Sequence, residues 1–358
     1  STTSPRPTVS AATVHQYQAG TAMRSMSRSC VAPIRFRLEA ASSGRIPSVM
    51  TPSSLVATLA SVASTFLLGK WFGIGGFRQE EAHPSLLRCP TVDAFLDRPN
   101  ARIAYSVQGR LDGAKPVVIA HSFLASRELE DRIGIFDWSP AARKGSALIR
   151  FDARGHGQSS GETAEEDYRW PALAQDLLAV LDAAAPGVST VDAVAESTGC
   201  GTLLWAVSQA PERFGRLVLV IPPTVRDTRA EQGELYRATA GLVEFRGAEA
   251  WARLVDTFPS IPLLDAGGWA RARQVPVDLS VLPAVLRGAA ASDLPPDEVL
   301  SGLQQPTLIL GWTTDPSHPT ASAELLARLL PNSTMEIASE PDEVRGWGAR
   351  AAAFLADA

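Results

Sequence analysis

The sequence predicts an α/β domain, built on a mostly parallel central sheet with helices on both faces. Two observations carry that expectation. From about residue 100 onward, short and nearly continuous apolar runs alternate with longer amphipathic periods, the pattern of strands covered on both faces and joined by helices. The composition is 45% apolar and 20% charged over 358 residues, which suits a globular chain able to bury a large core and excludes collagen-like or wholly disordered classes.

Taken in order, strands are expected over 101–107 (ARIAYSV), 116–121 (PVVIAH) and 147–152 (ALIRFD). Further strands are expected over 190–196 (TVDAVAE), 216–221 (RLVLVI), 306–312 (PTLILGW) and 334–338 (TMEIA). Helical periods fall over 168–185 and over 321–330, where Pro331 stops the second. The stretch from about 223 to 304 breaks the rhythm with helical pieces punctuated by Pro and Gly. A helical insertion of that kind between two core strands fits a lid over a site, or equally an extra helical layer with no gating role.

The N-terminal part reads differently. Residues 1–49 hold six arginines, no lysine and one acid, Glu39, in a Ser-, Thr- and Pro-rich context without apolar periodicity. Such a tail cannot bury enough surface to offset its chain entropy, and it reads either as a transit peptide or as an over-called start ahead of Met50. Residues 50–99 are expected as an apolar N-terminal segment, and 100–358 as the domain. Within 53–77 the uncharged run stops at Lys70, short of the ~20 residues needed to cross a bilayer. Its readings are peripheral membrane contact, with Trp71, Phe72 and Phe77 at the interface, a helix docked on the domain, and, if Met50 starts the protein, a signal-like apolar region without a charged lead. The expected location is the cytoplasm or an organellar lumen. A net charge of −5 gives no support to a nucleic-acid partner. Three scattered cysteines, Cys30, Cys89 and Cys200, make neither a disulfide framework nor a zinc site. No phosphate-binding Gly-rich loop or metal cluster is visible, so no cofactor is expected, and nothing fixes an oligomeric state.

Chemistry concentrates at Val191–Gly201 (VDAVAESTGCG), where an apolar strand runs through Ala195-Glu196-Ser197-Thr198-Gly199 into a helix. Small residues two before and two after a serine permit a turn sharp enough to lift its hydroxyl above the sheet, at a helix N-terminus whose amides favour negative charge. The rival reading is an ordinary strand-to-helix turn with a capping serine. Two further strand ends matter. His121-Ser122-Phe123 follows PVVIAH, where a backbone N–H could provide half of an oxyanion hole. Asp152-Ala153-Arg154-Gly155-His156-Gly157-Gln158-Ser159 follows the next strand.

With these stretches in their order and spacing, residues 100–358 resemble the α/β-hydrolase superfamily, in its serine-nucleophile branch. VVIAHS is similar to the family's HG turn, with Ser122 in place of Gly; FDARGHGQS is similar to its D-x-R-G-x-G-x-S stretch; and AESTG falls at its nucleophile elbow. The resemblance implies an α/β-hydrolase fold, Ser197 as nucleophile, and the backbone N–H groups of Phe123 and Thr198 as oxyanion donors. It also implies an acid in a G-x-x-x-D loop after the strand 306–312, which is Asp315 here. A turn or capping aspartate before Pro316 is the blander reading.

The family's histidine follows the last strand, yet this chain reads Ser339-Glu340-Pro341-Asp342-Glu343 there and has no histidine beyond His318. His15 and His83 lie ahead of the domain, His156 belongs to the structural RGHG turn, and His121 is expected to pack beside the oxyanion turn. That leaves His318 either as a displaced base or as a residue that shapes its loop, with Glu340 or Asp342 as weaker proton acceptors. His121, Ser122 and Glu196 are expected around the pocket, with a solvated turn carboxylate as the alternative for Glu196. Cys200 reads as a small packing residue of the elbow helix. Two functions follow. One is a serine hydrolase acting on a small apolar ester, lactone or thioester. The other is an impaired α/β-hydrolase-fold binding protein that keeps the pocket and lacks the base.

Overall fold

The computed structural model describes residues 91–255, 260–269 and 275–356. The expectations for residues 1–49 and 53–77, and for Cys30, Cys89, His15 and His83, lie outside them.

Eight strands form one sheet: β1 (Thr91–Arg98), β2 (Ala101–Gln108), β3 (Ala114–Ala120), β4 (Ser146–Phe151), β5 (Val191–Glu196), β6 (Phe214–Val220), β7 (Thr307–Trp312) and β8 (Ser333–Ala338). Their order is β1-β2-β4-β3-β5-β6-β7-β8, antiparallel at β1/β2 and β2/β4 and parallel from β4 to β8. Val118 of β3 stands opposite Ile149 of β4 and Ala193 of β5, which places the elbow strand in mid-sheet.

The helices are α1 (Arg127–Ile133), α2 (Ser139–Arg143), α3 (Trp170–Ala184), α4 (Thr198–Gln209), α5 (Arg229–Val255, broken at Gly247), α6 (Pro262–Gly267), α7 (Leu282–Ala290), α8 (Asp297–Gly302), α9 (Thr320–Leu329), α10 (Pro341–Arg345) and α11 (Trp347–Ala356). The period-two alternation of the strands sorts them into layers. Ala193, Ala195, Leu217, Leu219 and Ile309 face α3, α4 and α9. Val194, Val218, Val220, Leu308 and Leu310 face α2, α6, α10 and α11. Each fully buried Leu or Val contributes about 1.5–3 kcal/mol, so both faces of the central strands are strongly specified.

The sheet begins earlier than expected. Thr91–Arg98, assigned from sequence to the N-terminal segment, pairs along its whole length with β2. Asp93, Phe95 and Asp97 are exposed while Ala94 and Leu96 turn inward, the alternation of a half-covered edge strand. Between β6 and β7 the described residues carry the helices α5–α8. This stretch has an apolar cluster of its own, including Tyr236, Val243, Leu282 and Leu286, against which Phe123 and Leu124 pack. Among the described residues no helix is long and apolar enough to cross a membrane.

Candidate active site

Ser197 joins β5 to α4 at φ 51°, ψ −119°, a conformation that a non-glycine residue adopts only under constraint. The constraint is visible on both sides. Its amide donates to the Val220 carbonyl at 2.9 Å, and its carbonyl accepts the Cys200 amide at 2.9 Å. Two residues on, a Cβ at Gly199 would lie 2.5 Å from the Ala120 carbonyl oxygen, so only glycine lets α4 start this close to β3. Ser197 does not cap the helix with its side chain. Its hydroxyl instead meets His318 Nε2 at 2.7 Å, and Ser197 and His318 are only 4% and 5% exposed.

His318 and Asp315 come from one loop, the connection from β7 to α9. The Ser317 amide donates to Asp315 Oδ1 at 2.9 Å and the His318 amide to the Asp315 carbonyl at 3.2 Å, a tight turn that folds the imidazole back over the carboxylate. His318 Nδ1 lies 2.6 Å from Asp315 Oδ2, and the Trp312 indole N–H donates to the same oxygen at 3.0 Å. The Trp312 ring also meets the imidazole edge-on. Burial alone would raise the Asp315 carboxyl, but His318 beside it, together with the hydrogen bonds from His318, Ser317 and Trp312, holds it below the ordinary carboxylate range. An anionic Asp315 fixes the tautomer in which His318 Nδ1–H donates to it. Nε2 then keeps a lone pair for the Ser197 hydroxyl. Such a chain can take a proton from serine and hold the resulting imidazolium.

The turn after β3 lies beside this chain. The Ala125 amide donates to the Ser122 carbonyl at 3.2 Å, and Leu124 takes φ 55°, closing a compact bend. Among the described residues neither the Phe123 amide nor the Thr198 amide, the first of α4, donates to a protein acceptor. Both residues line a small cavity with His121, Ser122, Val285 and Ala289, which Arg154 and Asp176 also border and Ser197 and His318 do not. His121 is a staple: Nδ1 sits 2.7 Å from the Ser122 carbonyl, and Nε2 accepts the Ala153 amide at 2.8 Å. Burial lowers its pKa, so it stays neutral. His156 is buried in the same way, its pKa lowered to about 3, with Nδ1 2.8 Å from the Arg154 carbonyl.

The family model for the alpha/beta hydrolase fold matches residues 115–341, well over half of the chain. The chain belongs to the alpha/beta hydrolase fold family. Solved relatives include an enol-lactonase from Burkholderia xenovorans, 19% identical, with a TM-score of 0.58 over 74% of this chain and 100% of that one. An esterase from Exiguobacterium antarcticum is 17% identical, with a TM-score of 0.56 over 74% of this chain and 100% of that one. A carboxylesterase from Nitrososphaera gargenis gives 17% and 0.56 over 74% of this chain and 98% of that one. At these identities the likeness is one of fold.

In this α/β hydrolase the loop after β8 faces elsewhere. Glu340 and Asp342 are exposed; Glu343 accepts the Ser339 and Glu340 amides, and Asp342 pairs with Arg345. Neither of the two acids weighed from sequence meets Ser197. Glu196 also departs from its expected place. It is neither solvated nor among the residues lining the cavity; it is 1% exposed, with Oε1 accepting the Trp138 indole N–H at 2.7 Å. Cys200 packs at the base of α4, donating to the Ala195 and Val220 carbonyls, and burial pushes its thiol pKa up. The D-A-R-G-H-G-Q-S stretch is structural: Asp152 accepts the Arg127 and Gln158 amides at 2.9 and 3.0 Å, and Arg154 pairs with buried Asp176 at 3.0 Å. Sequence reasoning passed over Trp312, although its place beside the G-x-x-x-D loop was a signal. It also passed over Glu130 and Trp138, for which the sequence held none.

Proposed function

We propose that this protein is a cofactor-independent serine hydrolase acting on a small apolar ester, lactone or thioester. The observation that carries the reading is the continuous hydrogen-bonded chain Ser197 Oγ–His318 Nε2, His318 Nδ1–Asp315 Oδ2, at 2.7 and 2.6 Å, mounted on a strained serine. Ser197 Oγ attacks the carbonyl carbon while His318 Nε2 takes its proton. The oxyanion of the tetrahedral intermediate accepts from the Phe123 and Thr198 amides, and Asp315 steadies the imidazolium. His318 then returns the proton to the leaving oxygen or sulfur, giving an acyl-Ser197. A water deprotonated by His318 attacks that acyl group, releasing the acid and restoring the serine. The esterase and enol-lactonase activities named for two fold relatives favour this substrate class. The binding-protein reading rested on a lacking base, and the placement of His318 weighs against it.

The test is labelling by a fluorophosphonate probe. Wild type should label, and both Ser197→Ala and His318→Ala should not. A folded wild type that takes no label would overturn the hydrolase reading. Loss in Ser197→Ala alone would remove His318 as the base.

A further inference from the structure

Two carboxyl groups, buried Glu196 and half-buried Glu130, meet at the turn after β3, and the proton chain uses neither. Glu196 immediately precedes Ser197; besides the Trp138 indole, its Oε2 accepts the Ser122 hydroxyl at 3.4 Å. Glu130, on α1, accepts the Ser122 backbone N–H at 3.1 Å. The helix that delivers it is sharply bounded, by the Ser126 hydroxyl accepting the Leu129 amide at 3.2 Å and by Gly134 in the left-handed region at φ 67°. Both polar donors of Ser122 are thus held by this carboxyl pair. Ser122 is the residue before Phe123, whose amide is the candidate oxyanion donor.

We propose that Glu130 and Glu196 are positioning residues for the hydrolytic reaction, clamping the Ser122 turn so that the Phe123 amide faces the carbonyl attacked by Ser197. This rests on the hydrolase reading above. Glu130 and Glu196 converge on Ser122 from its two donors, and each carboxyl acts on the ionisation of the other. Burial and the charge of Glu196 push Glu130 well above the ordinary glutamate value, while burial raises Glu196. The Glu130 side chain keeps 15% of its surface exposed, which softens the burial penalty without removing it.

The charged group facing the pair is Arg150 of β4, whose Nη2 lies 3.8 Å from Glu130 Oε2. Its guanidinium is shared with Asp131 at 2.7 Å and with the Arg127 carbonyl at 3.0 Å, so it does not neutralise a second carboxylate. The other facing groups are neutral: Trp138 and Ser122 donate to the pair, and the Cys200 thiol of α4, which feels the charge of Glu196, is pushed up chiefly by burial. When both carboxyls lose their protons as pH rises, two like charges converge on Ser122. They separate, and the turn loses its anchors. Oxyanion donors act on the transition state, so the loss falls on kcat rather than KM.

The experiment measures kcat and KM of the full chain with p-nitrophenyl butyrate from about pH 6 to about pH 10, alongside fluorophosphonate labelling. Wild type should show a fall in kcat on the alkaline side. Glu130→Gln and Glu196→Gln, each leaving a single ionisable carboxyl, should lose that fall, whereas the exposed Glu128→Gln should keep it. Glu130→Ala should lower kcat by about tenfold or more, short of the ~10²–10³ for complete loss of one oxyanion donor, with KM within about twofold. If the Ala variant does not fold, the two Gln profiles decide alone. An active, labelled wild type whose Gln variants retain the alkaline fall would overturn the positioning role only. A wild type with neither turnover nor label would overturn the hydrolase reading and this proposal with it.

Discussion

Ser197, His318 and Asp315 act as one unit if the proton chain is the machinery, so their single deletions should cost nearly the same. Ser197→Ala and His318→Ala are each expected to lower kcat by ~10⁶, and the double variant no further. Asp315→Asn should cost about 10⁴, because an amide at Oδ2 cannot accept from Nδ1–H and reverses the tautomer. The same substitution tests Asp315 as a stability element. Its folded pKa is depressed, so its contribution is present above the ordinary aspartate value of 3.8 and is lost as pH falls through the folded value. Asp315→Asn should therefore lower Tm at neutral pH and make little difference near pH 2, as thermal melts at both would show. The sequence made Ser197 and Asp315 legible because each sits at a fixed offset from an apolar strand. It left His318 open because its turn, built by the Ser317 and His318 amides, carries no motif of its own.

At the level of elements, the site depends on strands and helices meeting at close range. Gly199 shows how close: Gly199→Val places two methyl groups where the Ala120 carbonyl stands. The expected loss is about 1–3 kcal/mol, with reduced labelling of Ser197 because α4 must back away from β3. The loop after β4 holds its position through the Arg154–Asp176 pair, 5% and 2% exposed, to which Arg98 adds a contact at 2.9 Å. Arg154→Met leaves a buried carboxylate with one partially exposed partner, and should cost about 3 kcal/mol in chemical denaturation. Adding Asp176→Leu should restore much of that. The central parallel strands were legible because burial on both faces writes them as nearly unbroken apolar runs, β5 and β7 most fully. β1 was not, since an edge strand open to solvent on one face shows only a weak alternation, Asp93, Phe95 and Asp97 outward. Glu130 escaped notice for a different reason: a glutamate on a seven-residue helix looks solvated until the fold sets it against Glu196.

Over the whole molecule, buried ionisable groups oppose one another, and their balance sets the pH of greatest stability. His121 and His156 have folded pKa values below the ordinary 6.5, His156 at about 3, so the stability they confer is present above 6.5 and lost as pH falls below it. Asp152 and Asp315, both depressed, add losses below 3.8. Glu130 and Glu196 run the other way. Their folded values lie above the ordinary 4.5, so the native state holds protons that the unfolded chain has released, and stability declines as pH rises from 4.5 towards those folded values. Between 4.5 and 6.5 the two sets compete; further up, Cys200, Tyr168 and Tyr236, whose values burial also raises, act in the same sense as the glutamates. Stability should therefore peak near the upper edge of that window and fall on the alkaline side. Glu130→Gln replaces a carboxyl whose neutral form burial favours with a neutral amide of the same shape that can still accept from Ser122. Its Tm should match wild type near pH 4.5 and exceed it by several degrees at pH 8, with a flatter alkaline slope in melts across that range. A variant whose alkaline slope stays as steep as wild type would mean that the carboxyl pair does not hold its proton in the folded protein.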